Sequence, residues 1–229
     1  MKAMILAAGL GKRMRPLTDT CPKPLLPLLG KPLLTYHIEK LVALGITDIV
    51  INHAYLGEQI VDYIGDGSQF GANIQLSAEP QGAYETAGGI INALPLLTHN
   101  IPNEPFMVVN GDIWTDYDFA LLPRQLNNVL AHLVLVNNPP HNLDGDFAIN
   151  EQGLATEYGD IMYTLSGISV YSPQFFSGLT LSKLPLAPLL RKAMAKGLVS
   201  ASLYQGGWTD VGTPQRLQQL AEQLANTSE

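Results

Sequence analysis

The chain has 229 residues, with 46% hydrophobic and 14% charged side chains, which suits a packed core and argues against disorder. A formal net charge of −7 speaks against general DNA or RNA binding, which draws on a basic surface. The single cysteine, Cys21, excludes an internal disulfide and a cysteine metal cluster, and no apolar run approaches the roughly 18 residues of a membrane span.

The predicted elements alternate along the chain. Lys2–Ala7 reads as a buried first strand. The cations Lys12, Arg13 and Arg15 and Pro16 follow its apolar run, where a signal peptide would carry small residues and a cleavage site; a soluble, cytoplasmic protein is expected. Pro32 fits the first turn of a helix, whose apolar face is Leu33, Leu34, His37, Leu41, Val42 and Leu44, with Gly45 as its stop. Asp48–Asn52 is a β-branched strand. Leu56, Ile60, Val61 and Ile64 mark an amphipathic helix ending near Gly65. Asn73–Ala78 is a strand, Glu85–Leu94 a helix, and Pro105–Asn110 and Ala131–Asn137 two further strands. Beyond Asn137, strands are expected at Phe147–Asn150, Tyr163–Tyr171 and Val199–Tyr204, with helices at Leu186–Lys196 and Pro214–Leu224. Strands separated by helices imply βαβ units and a mainly parallel, Rossmann-like α/β/α sheet. The expectation is one domain over 1–229, with a nucleotide-binding half (1–137) and a smaller mixed half (138–229) for a second substrate.

Ligands in open α/β sheets sit beyond the carboxyl ends of the strands. Three segments fall there: Ala8–Arg13, Glu85–Gly89 and Asn110–Asp112. Charge points to the same place. Seven of the 13 basic residues lie in the first 40 positions, whereas Leu41–Pro123 has none. Glycines among those cations expose backbone N–H groups to the same anion, favouring a phosphate site over a solvated basic edge. The loop is neither common phosphate motif. Met14 stands where a dinucleotide fingerprint needs a third glycine; Arg13 and Leu6 break the P-loop pattern. Gly9-x-Gly11 after a first strand, with Lys12, Arg13 and Arg15, can still wrap a triphosphate.

The run Leu6-Ala7-Ala8-Gly9-Leu10-Gly11-Lys12-Arg13-Met14-Arg15-Pro16-Leu17-Thr18, followed by Pro22-Lys23-Pro24-Leu25-Leu26-Pro27, resembles the signature of sugar-1-phosphate nucleotidyltransferases. The resemblance continues through Glu85-Thr86-Ala87-Gly88-Gly89, Asn110-Gly111-Asp112, Ser166-Gly167-Ile168 and Asp210-Val211-Gly212-Thr213-Pro214, and covers nearly the whole chain. Within the family, Val50–Ala54, Asn110–Phe119 and Leu165–Val170 resemble the branch that transfers UMP from UTP to N-acetylmuramic acid α-1-phosphate in peptidoglycan recycling. Glucose- or mannose-1-phosphate nucleotidyltransferases, and a non-catalytic nucleotide-sugar sensor on the same fold, are the alternatives.

The implied reaction brings two polyanions together, so charge neutralisation is the main demand. The nucleophile is already a phosphate anion; no Ser, Cys or His nucleophile is required. His37, His53, His99, His132 and His141 show no metal or triad spacing and are expected to be structural. By themselves Asp112 and Asp210 can be turn formers; by resemblance they match the family's Mg²⁺ ligands. Lys23, between two stiffening prolines, reads blandly as an exposed lysine, and by resemblance as the group bridging phosphates in the transition state. Arg13 matches the arginine on the departing pyrophosphate, with Lys12 and Arg15 secondary. Ala7, Ala8, Gly9, Gly11, Glu79, Glu85, Thr86 and Gly88 match the nucleotide-binding segments. Asn110, Gly145, Glu157 and Gly167 match sugar contacts. The thymidylyltransferase motif Glu-Lys-Pro is replaced by Glu157-Tyr158-Gly159, so the sugar phosphate is expected to lean on metal and on Lys23. The resemblance implies UTP and a sugar 1-phosphate as substrates, Mg²⁺ as cofactor, and a monomer or small homo-oligomer. The short tail after Asp210 is expected to hold no acetyltransferase β-helix.

Overall fold

Helical crossovers return the chain over the sheet, so successive strands point the same way. The computed structural model describes residues 1–82 and 84–227. Its strands are β1 (Ala3–Leu6), β2 (Pro27–Leu28), β3 (Lys31–Pro32), β4 (Asp48–His53), β5 (Asn73–Ala78), β6 (Phe106–Asn110), β7 (Ile113–Thr115), β8 (Ala131–Val136), β9 (Ala148–Ile149), β10 (Ala155–Thr156), β11 (Thr164–Tyr171), β12 (Val199–Tyr204) and β13 (Trp208–Asp210). The helices are α1 (Leu33–Ala43), α2 (Gly57–Ile64), α3 (Thr86–Thr98), α4 (Leu186–Met194) and α5 (Pro214–Thr227).

Seven strands form the central sheet in the order β12-β8-β11-β6-β1-β4-β5. All neighbours pair in parallel except β11, which runs antiparallel to both β6 and β8. The alternation of strand side chains between faces divides the core. Ala3, Ile5, Ile49 and Ile51 pack under α1 and α2. Met4, Val50, Val108, Leu133 and Leu135 pack under α3 and α4. The result is the three-layer, mainly parallel α/β/α arrangement expected. A smaller cluster, with Met14, Leu26 and Leu28 against Val211 and Leu220, ties the loop after β1 to α5.

Several elements differ from the sequence reading. Pro32 is the residue before α1 rather than inside its first turn. α3 continues through Pro95 to Thr98, and the Thr98 hydroxyl donates to the Leu94 carbonyl at 2.9 Å. The strand expected at Phe147–Asn150 shrinks to the two residues of β9, paired with β10. β6 stops at Asn110 as expected, but Gly111-Asp112 then turn into an additional strand, β7, which pairs antiparallel with β13. That ribbon was not foreseen, and it builds half of the site. Among the described residues no helix is long and apolar enough to cross a membrane.

Candidate active site

Two neighbouring cavities open at the carboxyl ends of the parallel strands. The first, of about 310 Å³, is lined by Leu6, Ala8, Gly9, Lys23, Pro24, Asn52, Glu79, Tyr84, Glu85, Thr86, Asn110 and Asp112. Asn52, at the end of β4 and 4% exposed, organises its floor. Its Oδ1 accepts the Ala7 N–H at 2.7 Å, and its Nδ2 donates to Glu79 Oε1 at 2.7 Å. Burial pushes the Glu79 carboxyl above its ordinary range, and the Asn52 hydrogen bond opposes that shift. Gly89 lets α3 approach here, because a Cβ on it would lie 2.6 Å from Glu79 Oε1.

Lys23 is buried, not the exposed lysine of the bland reading. The backbone turns tightly over Lys23–Leu25, and Nζ donates to Asp112 Oδ2 at 2.6 Å. Its side chain is 10% exposed, that of Asp112 41%. One cation therefore sits beside one carboxylate at the mouth of the first cavity.

The second cavity, of about 400 Å³, is lined by Arg13, Asn110, Asp112, Ile113, His141, Asn142, Asp146, Thr164, Leu165, Ser166, Trp208 and Asp210. The ribbon explains why both carboxylates are here. Asp210 pairs with Ile113, and the Val211 N–H donates to the Asp112 carbonyl at 2.8 Å. Asp112, in the turn that enters β7, and Asp210, on β13, are thus held side by side though far apart in sequence, and open into one space. Trp208 Nε1 donates to the Ser166 carbonyl at 2.8 Å, fastening the ribbon to β11. There, the pairing of β11 with β8 slips between Leu165 and Ile168. Gly167 has φ +81°, and a Cβ would lie 2.7 Å from the Asn110 side chain. That bulge admits close contact with Asn110 that another residue would block.

A metal fits the donor chemistry. Among the described residues there is no cluster of three or more His, Cys, Asp or Glu able to hold an ion. Three carboxylates line the second cavity, with no thiolate; Asp146 Oδ2 is taken up by the Leu165 N–H at 2.8 Å and by Asn142, which leaves Asp112 and Asp210 as the two hard donors. That set suits an ion that keeps waters and takes phosphate oxygens for its remaining positions, as Mg²⁺ does. Asp210 now accepts from Arg216 Nη1, much as Asp112 accepts from Lys23.

Of the residues expected from sequence, the two cavities bring together Ala8, Gly9, Arg13, Lys23, Glu79, Glu85, Thr86, Asn110, Asp112 and Asp210. Gly167 lines an adjoining pocket that shares Leu6, Glu85, Thr86 and Asn110 with the first cavity. Ala7, Gly11, Lys12, Gly88, Gly145 and Glu157 line neither of the two. Ala7 is 3% exposed, with its N–H on Asn52. Gly11 has φ +58° and would put a Cβ 2.9 Å from the Thr18 methyl, so it shapes the loop. Lys12 is exposed. The Gly88 N–H donates to the Leu184 carbonyl at 3.2 Å. Gly145 abuts Met162 and Tyr163, where a Cβ would lie at 2.9 Å. Glu157 pairs with Arg191 at 3.2 Å.

Sequence reasoning missed Asn52, Tyr84, Arg216 and above all His141. The structural assignment of His141 is corrected here: its Nε2 lies 2.9 Å from Asp210 Oδ1. A histidine directly after Pro139-Pro140 was the available signal, since two prolines present the next side chain on a stiff loop. His37 and His132 are structural as expected. His37 Nε2 lies 2.9 Å from the Ile113 carbonyl, and His132 bonds Ser200 and Ser202.

Comparison with known proteins bears on the same residues. The family profile described as "Nucleotidyl transferase" matches residues 2–159. The N-acetylmuramate α-1-phosphate uridylyltransferase of Neisseria meningitidis serogroup B is 51% identical over 98% of both chains. The mannose-1-phosphate guanyltransferase β-A of Xenopus laevis is 29% identical over 93% of this chain, which spans 62% of that protein's length. A Bacillus anthracis protein crystallised with sucrose superposes with a TM-score of 0.80 at 23% identity, covering 97% of this chain and 94% of that one.

Proposed function

The chain belongs to the nucleotidyl transferase family, and from that premise we propose that it transfers UMP from UTP to N-acetylmuramic acid α-1-phosphate, giving UDP-N-acetylmuramic acid and pyrophosphate. The full-length likeness to the neisserial uridylyltransferase supports the choice of substrates. On this reading the enzyme works in the cytoplasm, in peptidoglycan recycling. Residues 1–137 supply the nucleotide site and residues 138–229 the sugar site of one domain.

The nucleoside lies in the first cavity, over the Asn52–Glu79 pair and against Glu85 and Thr86. Backbone N–H groups of the Ala8–Gly11 loop, with Lys12 and Arg13, meet the triphosphate. The sugar phosphate enters from the second cavity past Asn110, with Gly167 in the adjoining pocket; Gly145 and Glu157, outside both cavities, act on the sugar through the loops they shape. A sugar-phosphate oxygen attacks the α-phosphorus; the α–β P–O bond breaks, and its electron pair leaves with pyrophosphate. Lys23 turns from Asp112 to the α-phosphate as charge builds there, and Arg13 holds the departing pyrophosphate. Mg²⁺ bound between Asp112 and Asp210 would supply charge neutralisation and align the two phosphates.

The test is a competition. N-acetylmuramic acid α-1-phosphate, N-acetylglucosamine 1-phosphate and glucose 1-phosphate are offered at equal concentration with UTP and Mg²⁺, and the products are followed by mass. N-acetylmuramic acid phosphate should be consumed first, by about 10-fold or more if a polar group of the pocket is otherwise left unpaired. Preferential use of either other sugar overturns the muramate reading and leaves the nucleotidyltransferase standing.

A further inference from the structure

Asp210 gathers two side-chain donors on one carboxylate oxygen. Its Oδ1 takes an N–H from Arg216 Nη1 and lies 2.9 Å from His141 Nε2. The guanidinium and imidazole nitrogens are themselves 3.0 Å apart, and Nη1 also reaches the Asp210 carbonyl at 3.2 Å. Nη1 has two hydrogens and three acceptors within reach. With a hydrogen on Nε2, the imidazole and the guanidinium both donate to Asp210; without one, Nε2 accepts a hydrogen from Nη1. In either tautomer Asp210 is what holds the two side chains together.

We propose that His141 and Arg216 form the seat for the carboxylate on the lactyl ether of the sugar. This rests on the muramate reading above. With Asp210 engaged by a divalent cation, both donors are released to a second anion, and the lactyl carboxylate is the anion the sugar brings. The seat is built. The Arg216 side chain is 19% exposed, and its guanidinium lies over Gly212, where a Cβ would come within 3.0 Å of it. His141 is held by the Asn142 N–H on the Pro139 carbonyl and by Asn138, which donates to the carbonyls of Leu143 and Met162. Behind the pair, a further cavity of about 530 Å³ shares His141, Trp208 and Asp210 with the catalytic one, which leaves room for a substituent.

The other cations of the C-terminal half fit less well. Arg191 is occupied by Glu157, and Lys183, Lys192 and Lys196 line neither cavity. Arg13 lines the catalytic cavity but is required at the pyrophosphate.

The experiment is calorimetric binding of the two products, UDP-N-acetylmuramic acid and UDP-N-acetylglucosamine, in Mg²⁺. The second lacks the lactyl carboxylate. Wild type is compared with Arg216→Gln, Arg216→Lys and His141→Leu, each checked for folding by circular dichroism. The wild-type preference for the muramate product should fall by about 10-fold in Arg216→Gln, the scale of a lost charge-assisted contact, and by about threefold in His141→Leu, with Arg216→Lys between. Reading the ratio cancels any change in metal affinity common to both products. A wild type with no preference fails the muramate reading itself. A wild-type preference that survives unchanged in Arg216→Gln and His141→Leu overturns the seat, and both residues then act only on Asp210. Should Arg216→Gln not fold, His141→Leu decides in the same way.

Discussion

Lys23→Met is the most informative single change. It keeps the stem that fills a nearly buried position and removes the ammonium 2.6 Å from Asp112. Two magnitudes separate folding from chemistry. The Asp112 side chain is 41% exposed, so its carboxylate regains water once the lysine is gone. The stability cost should lie near the ~1 kcal/mol of a screened pair rather than the roughly 3–5 kcal/mol of a buried charge left alone. For a chain of this length that lowers Tm by about 2–4 °C. If the same ammonium meets charge developing on the α-phosphate, its loss should lower kcat by about 10²–10³, the range for one transition-state donor. UTP binding should weaken far less. The assay is pyrophosphate release across a UTP series at saturating sugar phosphate, beside a thermal melt of the same sample. A variant with normal kcat and raised KM would refute the transition-state role and make Lys23 a ground-state contact.

Asp112→Asn and Asp210→Asn should each cut turnover strongly and leave added Mn²⁺ free in a paramagnetic titration, with the melt nearly unchanged for Asp210→Asn and lowered for Asp112→Asn, which leaves the nearly buried Lys23 ammonium without its counter-ion; normal turnover and normal Mn²⁺ binding in either variant would remove that aspartate from the metal. Asn52→Ala strands the buried Ala7 N–H and should cost about 1–3 kcal/mol, seen as a lowered denaturation midpoint, whereas an unchanged midpoint would mean the loop finds another acceptor. Burial holds the His37 imidazole at about 4, below its ordinary 6.5. The unfolded chain therefore takes up a proton first, and stability should be lost as pH falls from about 6.5 towards 4, at no more than about 1.4 kcal/mol per pH unit. His37→Gln should flatten that part of a pH-dependent denaturation curve; an unaltered slope would show that other groups set it.

Much of this was legible in the sequence because it is local. Strand and helix periods, the glycine loop with its cations, and the strand-end position of Asn110 can all be read from short windows. The β7–β13 ribbon could not be. Each strand has three residues, too few to show a period, and the pairing joins distant parts of the chain. Lys23 looked exposed because nothing beside it is a burial signal; its neighbours Gly11 and Asp112 come from elsewhere. His141 was set aside for want of a spaced partner, and its partners, Asp210 and Arg216, lie at the far end of the sequence. The adjacency of Asp112 and Asp210 was implied by resemblance alone; its physical cause is the ribbon.

That ribbon also decides which part of the molecule fails first under stress. Three residue pairs and the Val211–Asp112 hydrogen bond hold the second carboxylate beside the first, while the nucleotide cavity is walled by the central sheet and α3. Short, peripheral pairings open with smaller free energies than core strands. In dilute denaturant the ribbon can part, and Asp210 drift from Asp112, while the sheet is still intact. Turnover would then disappear, together with the fluorescence environment of Trp114 and Trp208, which both lie on the ribbon, at a lower denaturant concentration than the packing signal of the core tyrosine Tyr171, and nucleotide binding would outlast catalysis.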